Sequence, residues 1–141
     1  MRSTLSDAGY LFDTNVLSEV NRRQPDARVL AFVRGLSNDA FISVLTIGEL
    51  RRGAVLRRRT DVGHADRLDA WIASIETDYG GRILPVDLST ARLWGELAAD
   101  RPRQVVDTLI AATAIVHDLT LVTRNTRDFA DTGVALVNPW Q

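Results

Sequence analysis

Short apolar runs alternate with helix-patterned segments along nearly the whole chain, and that alternation restricts the possible folds more than any other feature. The runs are Tyr10-Leu11-Phe12, Ala40-Phe41-Ile42-Ser43, Arg82-Ile83-Leu84-Pro85, Thr120-Leu121-Val122-Thr123 and Val134-Ala135-Leu136-Val137. Each is too short for a stable helix, and most are rich in residues that suit a pleated, buried backbone. Helical patterns fill the gaps at about 14–21, 26–36, 45–59, 61–79, 88–100 and 105–117. In the fourth of these, Leu68, Trp71, Ile72, Ile75 and Tyr79 recur at the spacing of one helix face, and Gly80-Gly81 ends the pattern. That stripe reads as core, as do Trp71 and Trp94. The prolines at 25, 85, 102 and 139 all fall between elements. Strands separated by helices join as parallel strands through right-handed crossovers. The expected fold is therefore α/β: a three-layer α/β/α sandwich around a mostly parallel sheet of about five strands. A chain of 141 residues suits one such domain. Residues 10–141 are expected to form it, with polar residues 1–9 as a loose N-terminal extension.

Folds of this kind bind ligands at the carboxyl ends of their strands, so the residues just after each run deserve the closest reading. Asp13 follows the first run directly, with Thr14 and Asn15 behind it. These residue types suit an N-cap, and they equally suit a metal ligand at a sheet edge. After the second run, Thr46 and Glu49 have the spacing of a capping box. The apolar surroundings of Leu45 and Leu50, and the rarity of Glu, leave a cation-facing role open for Glu49. Asp107 opens the helix Asp107-Thr108-Leu109-Ile110-Ala111-Ala112, where the helix dipole alone would favour an acid. After the fourth run come Thr123, Arg124, Asn125 and, three residues on, Asp128. This stretch reads either as a polar loop or as further site residues.

Composition narrows the chemistry available to such a cluster. Three carboxylates in one crevice repel, by about 4 kcal/mol for a pair ~4 Å apart at an effective dielectric of 20. They must take up protons or bind a cation. The chain has no Cys and only two His, His64 and His117, so thiolate and His-rich metal sites are excluded. Oxygen ligands alone point to Mg²⁺ or Mn²⁺. All 17 basic residues are Arg and none is Lys. The absence of Lys weighs against a rival reading as a receiver-like or phosphatase-like aspartyl-phosphate protein, which would use a lysine near the phosphate. Net charge is −1, which excludes a uniformly basic coat but not a local basic rim. Nine arginines lie near the candidate acids in sequence. Arg124, Arg103, Arg51 and Arg52 are the candidates for contacting phosphates, Arg124 and Arg103 foremost. No apolar stretch is long enough to span a membrane and the N-terminus lacks a signal-peptide core, so the cytoplasm is the expected location.

Four segments taken in order carry a resemblance: Leu11-Phe12-Asp13-Thr14-Asn15-Val16-Leu17-Ser18-Glu19, Thr46-Ile47-Gly48-Glu49-Leu50-Arg51-Arg52-Gly53, Asp107-Thr108-Leu109-Ile110-Ala111-Ala112-Thr113-Ala114 and Leu121-Val122-Thr123-Arg124-Asn125-Thr126. They resemble the PIN-domain ribonucleases, and within them the VapC-type toxins of bacterial toxin–antitoxin pairs. The ending Val137-Asn138-Pro139-Trp140 resembles the FitB-like branch. The resemblance implies a PIN-like fold and a catalytic quartet at Asp13, Glu49, Asp107 and Asn125. Asp13, Asp107 and Glu49 would hold Mg²⁺ or Mn²⁺, with Thr14, Asn15, Thr123 and Asp128 in support. Many relatives have Asp where Asn125 stands, so one negative charge is missing and a single-metal site is favoured. The implied activity is hydrolysis of RNA, such as tRNA or rRNA, to 5′-phosphate ends that halts translation and growth. The implied partners are a cognate VapB-type antitoxin and a second copy of the chain in a homodimer, within a larger toxin–antitoxin assembly. A non-catalytic RNA- or protein-binding module on the same scaffold is the main alternative.

Overall fold

In the computed structural model, residues 9–36 and 38–141 are described. Five strands form one all-parallel sheet in the order β3-β2-β1-β4-β5. They are β1 (Tyr10–Phe12), β2 (Ala40–Ser43), β3 (Ile83–Leu84), β4 (Thr120–Val122) and β5 (Leu136–Val137). Seven helices connect them: α1 (Thr14–Val20), α2 (Ala27–Arg34), α3 (Val44–Arg58), α4 (Val62–Tyr79), α5 (Leu88–Asp100), α6 (Val105–Val116) and α7 (Thr126–Phe129). The α/β architecture expected from the alternation is the one observed.

Alternate residues of each central strand point to opposite faces, and each face has its own core. Phe12, Ile42 and Val122 join Val16, Val29, Leu50, Ile72 and Ile75 from α1–α4 in one cluster. Leu11 and Leu121 join Ile110, Ala111 and Ala114 of α6 and Phe129 of α7 in the other. Leu11, Ile42 and Leu121 are completely buried, each stabilising the fold by roughly 1.5–3 kcal/mol. The small residues of α6 bring that helix close to the sheet. Trp71 is half-buried against the first cluster. Trp94 is also half-buried but belongs to neither cluster.

Residues 1–8 of the expected extension lie outside the described residues, but Gly9 already belongs to the fold. It is buried with φ at +90°, and a Cβ there would lie 3.0 Å from the Asp39 carbonyl. Its own carbonyl accepts from Thr120 N at 3.1 Å. Two other expectations shift. The stretch after Asn125 is a one-turn helix, α7, rather than a loop, anchored by Phe129, which is 1% exposed. Strand β5 has two residues, not four, because Gly133 turns the chain at φ +85° and Val134 packs into the second core.

The strand order places the site. Chain connections leave β1 towards β2 on one side, while β4 pairs with its other side. The direction of winding therefore reverses beside β1, where crevices open at the carboxyl ends of a parallel sheet. Asp13 emerges there with its backbone N–H bonded to Val122 O at 2.9 Å.

Candidate active site

Asp13 is the buried centre of the crevice, at 6% exposure. It does both things its sequence position allows. As N-cap of α1, its Oδ1 accepts from Thr14 N at 2.8 Å. Its Oδ2 accepts from the Thr123 hydroxyl at 2.8 Å and from Asn15 Nδ2 at 3.4 Å. Burial raises the Asp13 carboxyl above its ordinary range. The Thr123 and Thr14 hydrogen bonds oppose that rise, and the nearby Glu49 charge adds to it.

Glu49 is not part of a capping box. Helix α3 starts at Val44, capped by Ser43, whose Oγ accepts from Leu45 N at 3.0 Å. Thr46 is therefore inside the first turn and fully buried, and Glu49 falls on the second turn. From there the Glu49 carboxylate meets α1, where Thr14 Oγ1 donates to its Oε1 at 2.5 Å. The Thr46 hydroxyl lies 3.2 Å from that of Thr14 and completes the bridge between the two helices.

Asp107 stands in the first turn of α6, whose N-cap is Gln104; the Gln104 Oε1 accepts from Asp107 N. A helix N-terminus ordinarily lowers a carboxyl pKa. Here the carboxyl is pushed up to about 6, first by burial and then by the charges of Asp13, Glu49 and Asp128. Burial, with the repulsion expected of crowded carboxylates added to it, thus outweighs the dipole. Asn125 follows β4 and is exposed, with its backbone N–H bonded to the Thr123 hydroxyl at 3.0 Å.

Asp13, Glu49, Asp107 and Asn125 line one pocket of about 490 Å³ together with Thr14, Asn15 and Arg124. Of the remaining sequence candidates, Thr123 lies beneath the pocket as a ligand to Asp13. Asp128 lies in an adjoining hollow behind Asp107 and acts on it only by charge. Arg103 does not reach the pocket. Its side chain is 7% exposed, donates to Leu97 O at 2.8 Å and pairs with Asp131 at 2.8 Å. Arg51 pairs with Asp69 across α3 and α4, while Arg52 is exposed on α3 outside the pocket. Sequence reasoning missed Ser18, Glu19, Arg22 and Trp140, which also line the pocket. The signal was present: Asn15, Ser18, Glu19 and Arg22 share the i, i+3, i+4, i+7 spacing of one helix face.

The donor set suits a hard divalent cation: carboxylate and amide oxygens, with no sulfur or imidazole. Among the described residues no three acidic or histidine side chains stand close enough to hold an ion directly. Asp13 and Glu49 are instead turned towards their Thr and Asn partners. Mg²⁺ commonly keeps several waters and takes only one or two direct carboxylates, so a pocket of this width fits such an ion.

Residues 10–135 match the PIN domain family model. The chain belongs to the PIN-domain family. It is 38% identical over 139 residues to Toxin FitB of Neisseria gonorrhoeae, a match covering 92% of this chain and 97% of that protein. It is 33% identical over 141 residues to VapC ribonuclease Y4jK of Sinorhizobium fredii, covering 93% and 97%. The crystal structure of FitAcB from Neisseria gonorrhoeae superposes with a TM-score of 0.84 at 37% identity, covering 94% of this chain and 99% of that one. A toxin–antitoxin complex from Klebsiella pneumoniae superposes at 0.66 with 26% identity, covering 93% and 98%. The PIN fold therefore spans nearly the whole chain. No helix among the described residues is long and apolar enough to cross a membrane.

Proposed function

We propose that this chain is the toxin of a type II toxin–antitoxin pair and acts as a divalent-metal-dependent endoribonuclease. The observation that carries the reading is the carboxylate pocket: three acids from three separate elements face one crevice, where burial and the neighbouring negative charges push the Asp107 carboxyl up to about 6. Such an arrangement is costly to a fold and is retained where a cation offsets it. The resemblance to Toxin FitB and VapC ribonuclease Y4jK supports the choice of RNA as substrate.

Asp13 and Asp107 would hold Mg²⁺ or Mn²⁺, with Glu49 and the Asn125 amide oxygen completing the oxygen donors. When bound, the ion supplies positive charge to the phosphoryl oxygens and makes water a better nucleophile. Glu49 orients the attacking water and accepts its proton. The bond from phosphorus to the ribose 3′ oxygen breaks, leaving a 3′-hydroxyl and a 5′-phosphate. Thr123 and Asn15 fix the position of the Asp13 carboxylate beside the crevice, and Thr14 does the same for Glu49. No imidazole base is needed, and neither His64 nor His117 lies in the pocket. Residues 10–141 act as one domain. The partners proposed are an RNA such as tRNA or rRNA, a VapB-type antitoxin and a second copy of this chain.

Induced expression in bacteria tests the reading. Growth should stop, RNA carrying new 5′-phosphate ends should accumulate at defined positions, and Asp13→Asn should abolish both effects. Growth arrest that persists with Asp13→Asn and without new RNA ends would instead favour a non-catalytic binding module.

A further inference from the structure

We infer that Trp140 is a positioning residue whose indole holds the Arg124 guanidinium at the pocket rim, out of ion pairing with the carboxylates and open to a phosphate oxygen. The inference rests on the ribonuclease reading for the identity of the phosphate, but not for the geometry.

A guanidinium on a flexible stem beside three carboxylates would ordinarily fold onto one of them, since a charge-assisted pair at short range is its strongest available interaction. Arg22, the other arginine at this pocket, does pair, with Glu19 at 3.2 Å. Arg124 makes no ion pair with any described carboxylate. Its Cζ lies 5.2 Å from the centroid of the Trp140 ring.

The backbone around the pair is also tied down. Arg124 N donates to Asn15 Oδ1 at 3.4 Å, and its carbonyl accepts from Asn138 Nδ2 at 3.5 Å. Asn138 Oδ1 in turn accepts from Trp140 N at 2.9 Å. Trp140 itself is 8% exposed and belongs to the first core cluster with Phe12, Val16 and Val122. One side of the indole is thereby fixed by the core while the pocket side carries the cation. An aromatic face attracts a guanidinium without cancelling its charge, whereas a carboxylate would cancel it. The arrangement keeps the arginine charged for a polyanion and keeps the acids clear for a cation.

Four variants test this: Trp140→Leu, Trp140→Phe, Arg124→Gln and the double Trp140→Leu/Arg124→Gln. Two readouts avoid catalysis altogether. One is affinity for a short single-stranded oligoribonucleotide in EDTA, and the other is Mn²⁺ affinity from the paramagnetic resonance of free Mn²⁺. Trp140→Leu and Arg124→Gln should each weaken RNA binding about fivefold. The double variant should be no weaker than Arg124→Gln alone, and Trp140→Phe should stay within about twofold of wild type. Mn²⁺ binding should weaken in Trp140→Leu, where the guanidinium falls onto the acids, but not in Arg124→Gln or the double variant. The inference is overturned if Trp140→Leu changes neither readout, if its effect persists undiminished without Arg124, or if the wild type binds no RNA in EDTA. A wild type that shows this coupling but cuts no RNA would defeat the ribonuclease reading and leave the positioning role standing.

Discussion

Thr123 has a single hydroxyl proton and gives it to Asp13 Oδ2, leaving its lone pairs for Asn15 Nδ2 at 3.3 Å and Asn125 N at 3.0 Å. One small side chain thus orients an acid, an amide and the N-cap residue of α7. Thr123→Val keeps the shape and removes all three bonds. Cation affinity and activity should fall by about 10- to 100-fold, the usual effect of removing a group that orients a ligand, as read by calorimetric titration with Mn²⁺. Asp107 gives a second residue-level prediction. Its folded pKa of about 6 lies above the ordinary 3.8, so the folded state holds this proton more tightly than the unfolded chain does. The stability it contributes is fully present below about pH 4 and is lost as pH rises through about 6. In EDTA the thermal midpoint should therefore drop across that window, and Asp107→Asn should flatten the drop. A cation binds the deprotonated acid, so adding Mn²⁺ should reverse the trend.

At the scale of elements, the position of a helix start decides what its residues do. A helix beginning near Thr46 would spend Glu49 on capping, but Ser43 caps it earlier and releases Glu49 to face α1. Ser43→Ala should lower stability by about 1 kcal/mol, measured as a shift in the urea midpoint, and should also loosen the placement of Glu49. The strand–helix alternation was legible because buried parallel strands and amphipathic helices leave strong periodic signals. Asp13, Glu49, Asp107 and Asn125 were legible because topology sends residues at strand ends and helix starts to one edge. The roles of the arginines were not legible. Proximity in sequence to an acid does not say whether a guanidinium turns to the pocket, as Arg124 does, or into the fold, as Arg103 does. That choice depends on Asp131, distant in sequence from Arg103, and on the backbone carbonyl of Leu97 near the end of α5. Arg103→Ala should destabilise the protein by about 1–2 kcal/mol, the cost of hydrogen bonds to a charged group, read from the same urea titration. Helix α7 was hidden for another reason: four residues are too few to show any period.

For the whole molecule, a net charge of −1 conceals an uneven distribution. Acids collect at the carboxyl edge of the sheet, while many arginines are engaged with acids elsewhere, as in the Arg58 pairs with Asp66 and Asp69. The fold gathers like charges where they repel, so the native state has a binding free energy in reserve for a cation. Mn²⁺ at 100 times its dissociation constant should stabilise the native state by about 2.7 kcal/mol, with a larger rise in melting temperature at neutral pH than near pH 5. The central claim is that this same pocket cuts RNA. Its most direct test is incubation of the purified protein with a defined single-stranded RNA, with and without Mn²⁺, alongside Asp13→Asn and Asp107→Asn. The account predicts cleavage only with the cation, 5′-phosphate products, and loss of cleavage in both variants. Undiminished cleavage in EDTA, or in either variant, would contradict it.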